Sequence, residues 1–150
     1  MTIDNAKIRK IILVEHEGLR IDLRAIEDQL EKVAAGNADA RKSAHERLIN
    51  MLGTFLRHIE HEERILQPVL AVIDAWGPQR KAAMDEEHAM QRELVTHLTT
   101  IDPSGDPAGW AREVRIFIKD LLMDMADEEK TCLSPNVLRD DVVVVDGSSE

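Results

Sequence analysis

Phe55-Leu56-Arg57-His58-Ile59-Glu60-His61-Glu62-Glu63-Arg64-Ile65-Leu66-Gln67-Pro68 is the stretch on which the fold turns. Around and within it Leu48, Leu52, Phe55, Ile65 and Val69 recur in steps of three and four, the period of an amphipathic helix. His58 and Glu62 fall in that register, so an imidazole and a carboxylate take core-facing places that aliphatic side chains would otherwise hold. Residues four apart stack about 6 Å apart along a helix axis, which lets both side chains reach one centre. Pro68 removes a helical hydrogen bond and its ring crowds the carbonyl of Arg64, so a kink or early end is expected, with Val69 to Ala75 continuing beyond it.

Three further segments show the same interruption. Ile8, Ile12, Leu19, Leu23, Ile26, Leu30 and Val33 form a stripe in which His16 fills the slot between Ile12 and Leu19. Met84, His88, Gln91, Val95 and Leu98 form a less apolar one. Trp110, Val114, Phe117 and Leu121 lead into Asp124 and Glu128. A single histidine on an apolar stripe is more often a hydrogen-bonded core residue than a ligand, and an acidic run is more often a solvated face. Coincidence across four helices favours chemistry. Burying Glu62, Asp124 and Glu128 without a compensating cation would cost several kcal/mol for each charge, and mixed imidazole and carboxylate donors suit iron or manganese.

The chain also echoes itself. Glu15-His16 with Arg20 is matched by Glu87-His88 with Arg92, and His58 with Glu62-Glu63 by Asp124 with Glu128-Glu129. Two related helical hairpins follow, each offering one histidine from its first helix and a ligand pair from its second. Arg20 and Arg92 could neutralise site carboxylates, and Asp127 and Glu129 could accept from imidazole N–H groups, although solvent exposure is the default for all four. His61, at the edge of the inward face, is a candidate partner of the ligands or an alternative ligand. His45 and His97 read as surface residues. Cys132 reads as a small buried residue, with a redox thiol as the lesser alternative.

A length of 150 residues suits one domain of four helices. Gly36-Asn37, Gly77-Pro78 and the Asp102 to Pro107 stretch supply the turns, and strand signal is nearly absent. A net charge of −10 argues against nucleic acid and anionic membranes. No apolar run approaches the roughly twenty residues of a membrane span, and Met1 to Asn5 lacks the features of a signal peptide, so the cytoplasm is the expected location. Residues 136–150, with the Val142 to Val145 run, read as a C-terminal tail that packs on the bundle or pairs with a partner.

The residues quoted, from about Ile8 to Pro135, resemble the hemerythrin-like, or His-His-Glu cation-binding, domain: an early His on the first helix, the Phe55 to Pro68 motif on the second, Glu87-His88 on the third and Glu128-Glu129 on the fourth. The resemblance implies an all-α, up-down-up-down four-helix bundle over residues 1–135. It also implies a carboxylate-bridged non-heme centre of two iron ions, with manganese as an alternative. It carries His16, His58, Glu62, His88 and Glu128 over as ligands, with Glu62 and Glu128 bridging, and puts Asp124 where the family usually has His. Arg92 stands where the oxygen carriers of the family have a second third-helix His. With more anionic oxygen ligands favouring the ferric state, the resemblance points to reaction with O2, peroxide or nitric oxide, as a catalase- or peroxidase-like oxidoreductase, before reversible oxygen carriage. Iron binding, storage or sensing without turnover is the alternative. A homodimer is a further expectation, and the apolar tail faintly resembles peptides that dock cargo into protein nanocompartments.

Overall fold

The computed structural model describes residues 4–139. Helix α1 runs Asn5–Ala34 and α2 Ala38–His61; a π-helical turn, Glu62–Leu66, joins α2 to α3, Gln67–Ile73; α4 spans Gly77–Thr100 and α5 Pro107–Thr131. Helix α2, the π turn and α3 make one interrupted rod, so the described residues form an all-α bundle of four rods, as the stripes require. Helix α1 packs along α2 and α5, and α4 packs against α3 and α2. No helix among the described residues is long and apolar enough to cross a membrane.

Helix boundaries follow from capping chemistry. Asp4 accepts from the Lys7 N–H at 2.7 Å, and Asp106 from the Gly109 N–H at 3.0 Å, satisfying N–H groups that a helix start leaves free. After α1 the Gly36 N–H donates to Val33 and the Asn37 N–H to Lys32, each at 3.0 Å, a paired closure that requires the left-handed backbone Gly36 adopts at φ 92°. Asn37 then starts α2 by accepting from the Ala40 N–H at 2.9 Å. One residue ends a helix and begins the next.

The π turn corrects the register read from the sequence. Beyond Glu62 the inward positions are Leu66, Leu70 and Ile73, while Ile65 and Val69 are only partly buried. From His58 to Leu70 is twelve residues, which on an uninterrupted α-helix would leave Leu70 about 120° off the histidine's face. One extra residue in the π turn removes most of that drift. The Gln67 N–H reaches back to the Glu62 carbonyl, and the widened turn takes in Pro68 without ending the rod.

The core is split. A large cluster, including Leu23, Ile26, Leu52, Phe55, Trp110, Val114 and Phe117, fills one end, and a smaller one, with Ile8, Ile12, Leu66, Leu70, Met84, Cys132, Leu133 and Leu138, fills the other. Between them lies a layer of buried polar side chains: His16, His58, Glu62, His88 and Gln91. The chain stays packed past residue 135, because Leu138 is buried in the smaller cluster and Asn5 Nδ2 donates to the Arg139 carbonyl at 2.6 Å. The Val142 to Val145 run lies outside the described residues.

Two glycines should respond oppositely to alanine. A Cβ at Gly77 would sit 2.0 Å from the Leu70 carbonyl oxygen, whereas one at Gly18, inside α1, meets nothing within 4 Å. Gly77→Ala is expected to destabilise by about 2 kcal/mol or more through backbone clash, and Gly18→Ala to stabilise by roughly 0.5–1 kcal/mol through helix propensity. Urea denaturation of the two variants checks both signs.

Candidate metal centre

Each histidine of the polar layer is fixed by a carboxylate at Nδ1. His16 Nδ1 lies 2.8 Å from Glu129 Oε2, His58 Nδ1 2.7 Å from Glu15 Oε1, and His88 Nδ1 3.0 Å from Glu63 Oε2. An ionised carboxylate only accepts, so each Nδ1 carries the proton and each Nε2 is turned toward the bundle axis. There His16 Nε2 is 3.0 Å from Glu128 Oε1 and 3.8 Å from Glu62 Oε2. His58 Nε2 and His88 Nε2 lie 3.3 Å and 3.1 Å from Glu62 Oε1. Four ligand-type atoms, one each from His16, His58, Glu62 and Glu128, lie within 4.8 Å of one another.

The centre is buried and its polar atoms are incompletely satisfied. His16 is 0% exposed, and Glu62 and His88 2% each. His16 Nε2, Glu62 Oε2 and Glu128 Oε1 are buried with no hydrogen bond of acceptable geometry, despite the short ionic contact between the first and last. Such atoms are rare in folded proteins because each costs its full desolvation penalty. A cation among them satisfies all three at once, so the donor set fits a metal ion.

Burial and mutual contact shift the acid–base balance of the layer. Burial pushes the Glu128 carboxyl well above its ordinary range, and the neighbouring Glu62 carboxylate adds to the effect. Burial also works to raise Glu62, but hydrogen bonding to Glu128, His16, His58 and His88 outweighs it and holds that group well below its usual range. Burial works against the His16 imidazolium, yet contacts with Glu128 and Glu62 raise it to about 10. These protons must leave when a metal arrives, which makes metal uptake pH-dependent.

Five of the six residues singled out in the sequence, His16, His58, Glu62, His88 and Glu128, meet at this layer. Asp124 stands apart: its Oδ2 accepts from Gln91 Nε2 at 3.2 Å, and the same nitrogen donates to Glu87 Oε1 at 3.1 Å. His61 Nδ1 bonds Glu15 Oε2 at 2.5 Å and so supports the partner of His58. Both arginines of the echo face the site's outer carboxylates. Arg20 contacts Glu129 at 2.8 Å, and Arg92 grips Glu63 through two hydrogen bonds of 2.7 and 2.8 Å. The Arg92 contact holds the Glu63 carboxyl below its usual range. Sequence reading passed over Glu15 and Glu63 as partners, though each adjoins a candidate ligand and Glu63 occupies the position that Glu129 does in the other half.

The remaining candidates fall outside the centre. His97 is exposed and pairs with Glu113, and His45 packs edge-on to Trp110. Cys132 is buried, which pushes its thiol up to about 11 and disfavours the reactive thiolate. A cleft of about 440 Å³ between α1 and α2, lined by Gly18, Leu19, Arg57, His58 and His61 among others, brings solvent to the outer side of His58.

Residues 7–134 match the model of the hemerythrin HHE cation-binding domain. The chain belongs to that family. No curated protein and no solved structure gave a significant match. Family membership and the His/Glu cluster together make this a metal-binding bundle.

Two outcomes test the centre. Losing a carboxylate that orients a histidine ligand weakens metal binding about 10- to 100-fold, so with His88 as a candidate ligand Glu63→Ala is expected to show that loss in a competitive chelator titration. The second concerns Glu87, whose carboxyl is pushed from 4.5 to about 7 by burial and then by Asp124. A raised acid favours the fold while protonated, so its contribution is complete below about pH 4.5 and is lost as pH rises through about 7. The urea midpoint of metal-free protein should carry a downward component across that interval, and Glu87→Gln should remove it.

Proposed function

We propose that the chain is a non-heme di-iron protein whose carboxylate-bridged dinuclear centre binds or reacts with O2, peroxide or nitric oxide. One observation carries this reading: three imidazole Nε2 atoms face the Glu62 and Glu128 carboxylates, leaving buried polar atoms that a shared cation would satisfy together. In this assignment His16, His58 and His88 are terminal nitrogen ligands. Glu62 and Glu128 would be the carboxylates shared by the two ions, and Asp124 would serve the position where the family usually has His. Two iron ions would supply paired one-electron redox chemistry at the bundle axis, and manganese is the alternative metal.

The chain's own residues would shape that chemistry. Glu15, Glu63 and Glu129 hold the three rings in one tautomer, with Nε2 turned inward. A carboxylate-rich set favours the oxidised metals, which supports turnover as a catalase- or peroxidase-like oxidoreductase over reversible oxygen carriage. The cleft beside His58 offers a short approach for a small reactant. Asp124, turned toward Gln91, favours the second reading, in which iron is held or sensed without turnover.

Metal analysis of protein purified without added metal, with absorption spectra before and after peroxide, separates these readings. Two iron equivalents, an oxo-bridge absorption band and peroxide turnover that vanishes in Glu62→Ala and His88→Ala are expected. Turnover untouched by those changes would exclude this centre as its seat, and iron without turnover would select the storage or sensing reading. Ferrous iron at about a hundredfold over its Kd should stabilise the fold by about 2.7 kcal/mol and raise the melting temperature accordingly.

A further inference from the structure

Two of the three histidine corners are built alike. His16 with Glu129 and Arg20 is matched in the other half by His88 with Glu63 and Arg92, each a ring, a carboxylate and a guanidinium in succession. The remaining corner breaks the repeat. In the first half the Glu15 carboxylate faces the His58 imidazole at 2.7 Å, an attractive pair. In the second, Glu87 takes the place of Glu15 and Asp124 that of His58, so acid faces acid.

Gln91 resolves the repulsion. It stands where the first half has the buried Leu19, it is itself buried, and its Nε2 spends one hydrogen on Glu87 at 3.1 Å and the other on Asp124 at 3.2 Å. Asp124 is thereby held toward Glu87, while ligand atoms of His16, His58, Glu62 and Glu128 are already gathered within 4.8 Å.

We infer that the two cation positions of the centre are unequal and that Gln91 makes them so, by latching Asp124 to Glu87 away from the position beside His88. The inference rests on the metal-centre reading. A first cation seats among His16, His58, Glu62 and Glu128 with little rearrangement. A second, beside His88, gains the Asp124 carboxylate only by breaking its bond to Gln91. Gln91 is a positioning residue and touches no metal in this scheme. A hydrogen bond to a charged group is strong enough to separate the two affinities by about ten- to a hundredfold.

Manganese(II) titration of metal-stripped full-length chain tests this, with free ion followed by electron paramagnetic resonance and stoichiometry by equilibrium dialysis. One equivalent should bind in a tight step, with a second about ten- to a hundredfold weaker. Gln91→Leu, which restores the first half's residue, should narrow the gap by strengthening the second step alone. Asp124→Asn should leave the first step in place and remove the second, which keeps the test open should Gln91→Leu fail to fold. Two equal steps in the unaltered chain, an unchanged gap in folded Gln91→Leu, or a first step weakened by Asp124→Asn would overturn the latch. Failure of unaltered protein to bind manganese(II) and ferrous iron alike would instead sink the metal reading beneath it.

Discussion

Two carboxylates, Glu62 and Glu128, buried side by side among three imidazoles, constrain everything else in this bundle. They lie in a polar layer with an apolar cluster at each end, so neither cluster extends through the middle of the fold. Like charges at such distance in a dry interior cannot both stay ionised without compensation. Contacts within the layer push these groups apart, with Glu128 and His16 favouring the protonated form and Glu62 the ionised one. That solution leaves buried atoms unbonded, and a metal site is the arrangement that removes both defects together.

The ring of residues outside the layer makes the inner one possible. Glu15, Glu63 and Glu129 fix the rings but add three negative charges beside two that are already buried. Arg20 and Arg92 return two positive charges at the rim, and His61 shares Glu15. Once a cation displaced the protons of His16 and Glu128, five carboxylates would face two guanidiniums, and the deficit would fall to that cation. Surface arginines contribute little as isolated ion pairs; here Arg20 and Arg92 help direct Glu129 and Glu63 at the Nδ1 atoms of His16 and His88, which leaves each Nε2 turned inward.

Most of the fold was legible because helical periodicity is insensitive to detail. The stripes through Ile12 and Leu19, Leu52 and Phe55, and Val114 and Phe117 name the buried faces, and His16, His58, His88 and Glu62 lie in the same phase. The π turn was not legible, since one inserted residue leaves no mark in composition, and it moved the inward face from Ile65 and Val69 to Leu66 and Leu70. Asp124 shows a second limit. Register places it on the inner side of α5, but its direction is decided by Gln91 and Glu87 across the interface, a contact between helices that no single-helix pattern contains. Glu15 and Glu63 were hidden by the opposite effect: half-exposed acids beside a ligand look like ordinary surface charge.

The π turn also accounts for how unlike the two halves become past the shared site. In one half the rod must run on to cover the smaller apolar cluster, and an uninterrupted α-helix would carry Leu70 away from it; the extra residue brings Leu66, Leu70 and Ile73 into line behind Glu62. In the other, α5 ends one turn after Glu128, where the Cys132 and Leu133 N–H groups both return to its carbonyl. The chain then crosses the bundle end irregularly, and Leu133 and Leu138 do the work of Leu66 and Leu70. Arg9 holds that crossing in place by donating to the carbonyls of Leu133 and Leu138. The same cluster is thus closed by a helix on one side and by a strapped loop on the other, and both closures begin at a carboxylate of the metal layer.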